Sequence, residues 1–191
     1  MLQEGLVKNP NLIRQLLSLI AHQAGSLVSV NELANTLSLS RPTVDRYLDL
    51  LERTFVIFRL PAFSSNPRKE IAKSQKIFFW DTGIRNALLG ELSLNPLRPD
   101  IGRLWENWVI TEFAKGNLLT GNLNRLHFWR SRAGSEVDLV IKRPNGQLTA
   151  YEIKWSPTKT TTKAFSNQYH IPTTIIHPKN FIDKLPHAKK W

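Results

Sequence analysis

The chain has 191 residues, a formal net charge of +11 and 41% hydrophobic side chains, which suits one or two folded domains and argues against general disorder. It contains no cysteine, so disulfide bonds, thiolate metal sites and cysteine nucleophiles are excluded. Its apolar runs fall short of the ~18 residues of a membrane span, and charged residues interrupt the first 20 positions. We therefore expect a cytoplasmic protein that makes no membrane contact.

The first third of the sequence predicts three helices. Residues 11–23 carry apolar side chains at helical spacing. Asn31 is placed to cap a short second helix. Ser40 is placed to cap a third, with Pro42 tolerated in its first turn. The second and third helices would be joined by a tight turn.

Two strands are predicted after these helices, at residues 55–60 and 76–80. Paired short helices followed by a β wing are typical of a winged helix-turn-helix domain, which we predict over residues 1–95. The candidate nucleic-acid contacts are exposed side chains of the third helix and of the loop between the strands, namely Arg41, Thr43, Arg46, Arg68, Lys69 and Lys73. Nearby acids oppose phosphate binding, so docking to a protein stays an alternative.

One short triplet is a decoy. Asp81-Thr82-Gly83 spells the aspartic-protease motif, but that chemistry needs two carboxylates that share a proton. The triplet stands between a predicted strand and a helix-like segment. We therefore expect Asp81 or Thr82 to cap the helix.

A proline-containing linker at residues 95–99 precedes the second half of the chain. An amphipathic helix is predicted over residues 101–115 and expected to stop at Gly116. A strand, a hairpin, a helix near 160–168 and a strand near 173–177 follow. This α-β-β-β-α-β order is that of a restriction-endonuclease-like α/β domain, predicted over residues 96–191.

The hairpin is the organising feature of this half. Residues 136–142 and 148–154 alternate between apolar and polar side chains, as strands do. A two-residue turn at Asn145-Gly146 would pair Asp138 with Ile153. A three-residue loop that starts at Pro144 would pair Asp138 with Glu152. We favour the longer loop, since proline suits its first corner and glycine the left-handed position.

The longer loop predicts two distinct faces. Val137, Leu139 and Ile141 would share a core face with two apolar residues of the second arm. Asp138, Glu152 and Lys154 would lie together on the other face. Such acids are usually only a solvated surface. Here, however, residues 101–191 hold 14 Lys and Arg against 6 Asp and Glu, and four of those six acids fall in or near this pattern.

Two carboxylates and a lysine on one face suit metal-assisted phosphodiester hydrolysis, because Mg²⁺ or Mn²⁺ takes carboxylate oxygens and a lysine can orient water. The pattern resembles the PD-(D/E)XK nuclease superfamily, which implies catalytic roles for Asp138, Glu152 and Lys154. The resemblance implies that Glu106 is the helical glutamate, and Glu136 would be an extra metal ligand. The excess of basic residues favours an anionic partner such as DNA, with Arg130 and Arg132 as contacts beside the hairpin.

Several motifs in order resemble the C-terminal part of a family of bacterial and archaeal AAA+ ATPases. The matching stretches begin at Glu32, Phe79, Trp105, Phe128 and Glu152 and run through nearly the whole chain. The resemblance implies a winged helix followed by a restriction-endonuclease-like domain of unknown function. The GxxxxGK[ST] motif is absent from the sequence, so an ATPase core would come from a longer chain or a separate one.

Three functions stay open at this point. The chain is predicted to be a DNA-associated module with a nuclease-like Mg²⁺ site. The alternative is a non-catalytic module that binds DNA or protein through a degenerate nuclease fold. A regulatory fragment that binds DNA through the winged helix alone is the third. Self-association into a homo-oligomer is compatible with each of them.

Overall fold

The computed structural model describes residues 10–64, 75–93, 95–157 and 163–185. Over these ranges the chain is a mixed α+β fold with two sheets, as the sequence predicted. Its elements are α1 (Pro10–Gln23), β1 (Leu27–Val28), α2 (Val30–Thr36), α3 (Arg41–Arg53), β2 (Ile57–Pro61), β3 (Gln75–Phe79), α4 (Thr82–Leu89), α5 (Ile101–Leu119), β4 (Arg125–Arg130), β5 (Glu136–Lys142), β6 (Leu148–Ile153), α6 (Lys163–Tyr169), β7 (Thr173–Ile176) and a short 3-10 helix (Ile182–Lys184). Within those ranges no helix is both long and apolar enough for a membrane crossing.

The first sheet has the order β1-β3-β2 with antiparallel pairing throughout. Helices α1 to α3 cover it with an apolar core that contains Leu16, Ile20, Val44, Leu48 and Phe79. The strand β1 has two residues and was not predicted. It lies beside β3, so β3 is the central strand of this sheet.

Capping residues set the starts of α2 and α3. Ser40 accepts a hydrogen bond from the backbone N–H of Thr43 at 3.3 Å, and a proline lies in the first turn of α3, as predicted. The prediction that Asn31 caps α2 is wrong. Ser29 accepts the backbone N–H of Glu32 at 3.3 Å instead, and Asn31 lies inside the helix.

Asp81 caps α4, which confirms that the Asp-Thr-Gly triplet is structural. The Oδ1 atom of Asp81 accepts backbone N–H groups of Gly83 at 2.6 Å and Ile84 at 3.2 Å. These N–H groups have no partner inside the helix.

The second sheet has the order β4-β5-β6-β7. The first three strands pair antiparallel, and β7 runs parallel to β6 after the α6 crossover. Helix α5 covers one face with Val109, Ile110 and Phe113. On the other face Phe165 of α6 packs near Val140. The sheet is therefore buried on both faces.

The two sheets are joined by direct contacts. Ala62, just after β2, forms a parallel bridge to Phe128 of β4. The buried side chain of Asn107 on α5 accepts the backbone N–H of Phe79 at 3.0 Å and donates to the carbonyl of the same residue at 2.7 Å. Phe78 of β3 belongs to the same apolar cluster as the inner face of α5. Strand β3 is thereby fixed against α5.

Two local predictions for the second half are wrong. Gly116 does not stop α5, which continues to Leu119 with this glycine buried inside it. Packing overrides the ~1 kcal/mol cost of a helical glycine. Val137 does not share a face with Leu139, because the β4–β5 register shifts and one extra residue of β5 reverses the alternation. Val137 packs with Val140 on the α6 face.

Candidate nuclease-like site

The hairpin turn has the predicted length. The backbone N–H of Arg143 donates to the carbonyl of Gln147 at 2.9 Å, and that of Gly146 donates to the carbonyl of Arg143 at 2.9 Å. Gly146 has a φ of 86°, the left-handed conformation that favours glycine. Leu139 is opposite Tyr151. Extended by one residue, this register places Asp138 opposite Glu152, which confirms the three-residue loop.

The three predicted catalytic side chains come together at the end of the hairpin. The Nζ atom of Lys154 lies 3.7 Å from Oδ2 of Asp138 and 3.8 Å from Oε2 of Glu152. These distances are those of ion pairs rather than of tight hydrogen bonds. One ammonium therefore lies between two carboxylates that come from neighbouring strands.

The two acids are buried, whereas the lysine is partly exposed. Asp138 is 8% exposed and Glu152 is 4% exposed, whereas the side chain of Lys154 is 42% exposed. The two acids are therefore buried rather than part of a solvated face, and Lys154 is the solvent-accessible member of the group. Burial raises the pKa of the Asp138 carboxyl, while Lys154 and the backbone N–H of Ile153, 2.7 Å from Oδ2, act in the opposite direction.

A second lysine enters this site from the first sheet. Lys76 of β3 is buried, with its side chain 3% exposed. Its Nζ atom lies 3.0 Å from Oε1 of Glu106 and forms an ion pair with Glu136. The same atom lies over the ring of Phe128, 5.6 Å from its centroid. Lys76 thus joins the two predicted acidic site residues that Lys154 does not contact.

The charges of this group are strongly coupled. Burial lowers the pKa of Lys76, but Glu106 and Glu136 outweigh that effect, so the net pKa is raised and the ammonium stays charged. Burial raises the pKa of Glu106 to about 7, although Lys76 acts to lower it. Asp138 adds to the rise by like-charge repulsion. Four carboxylates and two ammonium groups share this region.

The oxygen donors of this site are of the chemical type that a hard divalent ion binds. Carboxylate oxygens are what Mg²⁺ prefers, and it is usually held by one or two protein carboxylates together with waters and substrate phosphates. Asp138 and Glu152 could supply such a pair. Among the described residues, no group of three or more His, Asp or Glu side chains is placed to hold a metal. Glu106 and Glu136 are instead engaged by Lys76.

Sequence reasoning missed Lys76. It was assigned only to a strand, because a lysine at the start of an apolar strand resembles a solvent-facing end. Its partners Glu106 and Glu136 lie 30 and 60 positions further along the chain, so no local pattern links them. The sequence signal that could have identified Lys76 is a charged residue placed directly before the apolar run of a central strand.

The predicted DNA-contact residues of α3 differ in their surroundings. Arg46 is exposed. Arg41 is exposed too, and its Nε atom lies 3.7 Å from Oδ2 of Asp45. The hydroxyl of Thr43 lies 2.8 Å from that of Ser40, so it takes part in the helix cap. Arg46 is therefore an exposed basic side chain of this helix and stays a predicted DNA contact.

Two acids expected to repel phosphate are neutralised. Arg59 of β2 forms ion pairs with Asp49, 2.6 Å away, and with Glu52. Burial lowers the pKa of Arg59, but Glu52 and Asp49 together outweigh that effect, so the net pKa is raised. The negative field on this end of α3 is thereby reduced. Arg68, Lys69 and Lys73 lie outside the described residues.

Arg130 and Arg132 are the predicted DNA contacts next to the hairpin. Arg132 is exposed. The NH1 atom of Arg130, whose side chain is also largely exposed, lies 3.5 Å from Oε2 of Glu136. Arg130 therefore contacts one acid of the site, whereas Arg132 remains a predicted contact on the basis of its position in the sequence.

Comparison with protein families gives two adjacent matches. Residues 1–95 match a domain of unknown function, DUF8612. Residues 101–185 match a second domain of unknown function, DUF4143. No solved structure matches the chain.

The chain is also similar to curated proteins that are themselves uncharacterized. Proteins from Mycobacterium tuberculosis and Mycobacterium bovis are each 34% identical over 149 residues, which cover 76% of this chain and 32% of the relative. A protein from Haemophilus influenzae is 27% identical over 94 residues, 47% of this chain and 24% of the relative. The chain thus spans about a third or less of the length of these relatives.

Proposed function

We propose that this chain is a DNA-associated module with a Mg²⁺-dependent site for phosphodiester hydrolysis. The observation that carries the proposal is the position of Lys154, within 3.8 Å of both Asp138 and Glu152. A chance solvated face would leave these acids apart and exposed. Here both are buried in a protein whose second half is strongly basic.

Each residue has a distinct role in this proposal. Asp138 and Glu152 would hold the ion, which supplies Lewis-acid activation of water and of the phosphate. Lys154, the exposed cation, would position the attacking water or a phosphate oxygen. Glu106 and Glu136, which pair with Lys76, would assist these residues.

The remaining parts of the chain support DNA association. We assign residues 1–95 as a winged helix, with Arg46 of α3 as its main contact, and residues 96–191 as a restriction-endonuclease-like domain. Neutralisation of Asp49 and Glu52 by Arg59 removes an obstacle to phosphate binding. The resemblance to AAA+ ATPases suggests that an ATPase core acts with this module, either in the same longer protein or as a separate chain.

Cleavage of labelled DNA tests the proposal. Single-stranded, duplex and branched substrates are incubated with Mg²⁺ or Mn²⁺ and the wild-type protein, Asp138→Asn or Asp183→Asn. Asp183 is an exposed acid of the same half and serves as the matched control. We expect the control to cleave as the wild type does and Asp138→Asn to be inactive. Cleavage by Asp138→Asn at the wild-type rate would exclude the assigned site.

A second function is favoured by one specific observation. Lys76 already neutralises Glu106 and Glu136 and ties the first sheet to the second. Such a network suits a non-catalytic module that binds DNA or protein on a retained nuclease scaffold. This alternative predicts salt-sensitive DNA binding, from counterion release, with no metal-dependent cleavage of any of the three substrates.

A further inference from the structure

An aromatic cluster lies beside the candidate site. It consists of Trp105 and Trp108 of α5, Trp155 after β6 and Phe181 after β7. Trp105 and Trp108 are stacked, with centroids 5.3 Å apart and planes 19° apart. Phe181 meets both edge-on, at 5.3 Å and 5.1 Å. These rings, from α5 and from the segments after β6 and β7, thus form one packed group, which we call the aromatic wall.

Trp155 is the exposed member of this wall. It is 36% exposed, whereas Trp105 is 9% exposed. The two rings meet edge-to-face at 5.9 Å with an interplanar angle of 70°. This contact holds the indole of Trp155 in place while part of its surface faces solvent.

Two members of the aromatic cluster are direct sequence neighbours of residues of the candidate site. Trp155 directly follows Lys154, whose ammonium lies between Asp138 and Glu152. Trp105 directly precedes Glu106, which contacts Lys76. A polynucleotide with a phosphate near Lys154 would therefore have a neighbouring base within reach of Trp155.

We propose that Trp155 is a stacking surface for an unpaired base and that the site takes single-stranded DNA. This inference rests on the proposed function and narrows its substrate class. Aromatic stacking is available to every base face but only where the base is unpaired, and it contributes about 1–3 kcal/mol per base. The excess of basic over acidic residues in this half favours the polyanion.

Binding of a fluorescein-labelled single strand, followed by anisotropy in EDTA, tests the proposal without hydrolysis. The comparison set is a duplex of the same sequence and a single strand with abasic positions. The variants are Trp155→Ala, Trp155→Phe and Phe55→Ala. Phe55 is a matched control, since it is an exposed aromatic residue of the first half that contacts Trp80. Circular dichroism and thermal unfolding establish that each variant is folded.

We expect Trp155→Ala to weaken binding of the single strand by about 5- to 150-fold, corresponding to the loss of one stacked base. Trp155→Phe should retain most of the affinity, and Phe55→Ala should bind as the wild type does. Duplex binding should be unchanged by Trp155→Ala. On the abasic strand, wild type and Trp155→Ala should bind equally, because the backbone charge is kept and the bases are missing.

Three results would overturn the inference. They are unchanged single-strand binding by folded Trp155→Ala, an equal loss on duplex or abasic DNA, and no single-strand binding by the folded wild type. The first two would leave Trp155 as a packing residue of the wall. Failure of the nuclease proposal alone would give a different result, namely base-dependent binding through Trp155 without metal-dependent cleavage.

Discussion

Replacing Lys76 with methionine removes the ammonium that joins the two sheets while roughly keeping side-chain volume. In the structure this ammonium is buried and pairs with Glu106, 3.0 Å away, and with Glu136. Loss of one partner of a buried ion pair leaves an uncompensated charge and costs about 3–5 kcal/mol. We expect Lys76→Met to lose stability in this range at pH 8.

The loss should depend on pH through Glu106. Its pKa in the folded protein is raised from 4.5 to about 7, so its stabilising contribution is full below pH 4.5 and is lost as the pH rises through 7. At pH 5 the carboxyl is largely protonated and needs the ammonium less. At pH 8 the variant must either ionise this carboxyl without a partner or keep it protonated against the solution pH, and both cost free energy. The destabilisation by Lys76→Met should therefore be about 1–2 kcal/mol smaller at pH 5.

Urea unfolding at both pH values, followed by circular dichroism, measures these differences. Lys115→Met is the matched control, because Lys115 pairs with Glu112 at 2.9 Å but is 43% exposed. Its cost should stay below about 1 kcal/mol. Adding Glu106→Gln to Lys76→Met should recover part of the lost stability. A cost for Lys76→Met below about 1 kcal/mol, or an equal cost at both pH values, would refute the reasoning.

Three smaller effects follow from other contacts. Arg98 and Arg85 lower the pKa of Asp100 from 3.8 to about 2. Because solvent screens this partly exposed carboxylate, Asp100→Asn should cost about 1 kcal/mol at neutral pH, and this cost should vanish as the pH falls through 2 in acid-unfolding curves. Asn107→Leu removes the acceptor of the backbone N–H of Phe79, whereas the carbonyl of Phe79 keeps the hydroxyl of Thr111 at 3.0 Å, so the change should cost about 1–3 kcal/mol in urea unfolding. Ser40→Ala removes the cap of α3 and should cost about 1 kcal/mol in thermal unfolding.

Local sequence chemistry was enough to predict the hairpin and the proximity of its charged side chains. Pro144 and Gly146 have backbone preferences that select the three-residue loop, and the loop fixes the register. Register in turn brings Asp138 and Glu152 together. The order of elements in the second half followed in the same way from apolar periodicity and breakers. These features depend on neighbours in sequence, which is why they could be predicted.

The features that escaped prediction depend on distant contacts. The bulge that turns Val137 towards α6 arises from pairing with β4, which no pattern inside β5 records. Burial of Gly116 within α5 depends on packing partners. The capture of Glu106 and Glu136 by Lys76 requires β3 to lie against α5. Each is a tertiary effect that overrides a local preference.

We propose that Asp138 and Glu152 form a divalent-metal site. The most direct test is calorimetric titration of Mg²⁺ and Mn²⁺ into the folded wild-type protein and into the Asp138→Asn, Glu152→Gln double variant. Each titration is made with and without single-stranded DNA. We expect the wild type to bind metal, alone or with DNA phosphates, and the double variant not to bind it. Absence of metal binding by the folded wild type under both conditions would contradict it.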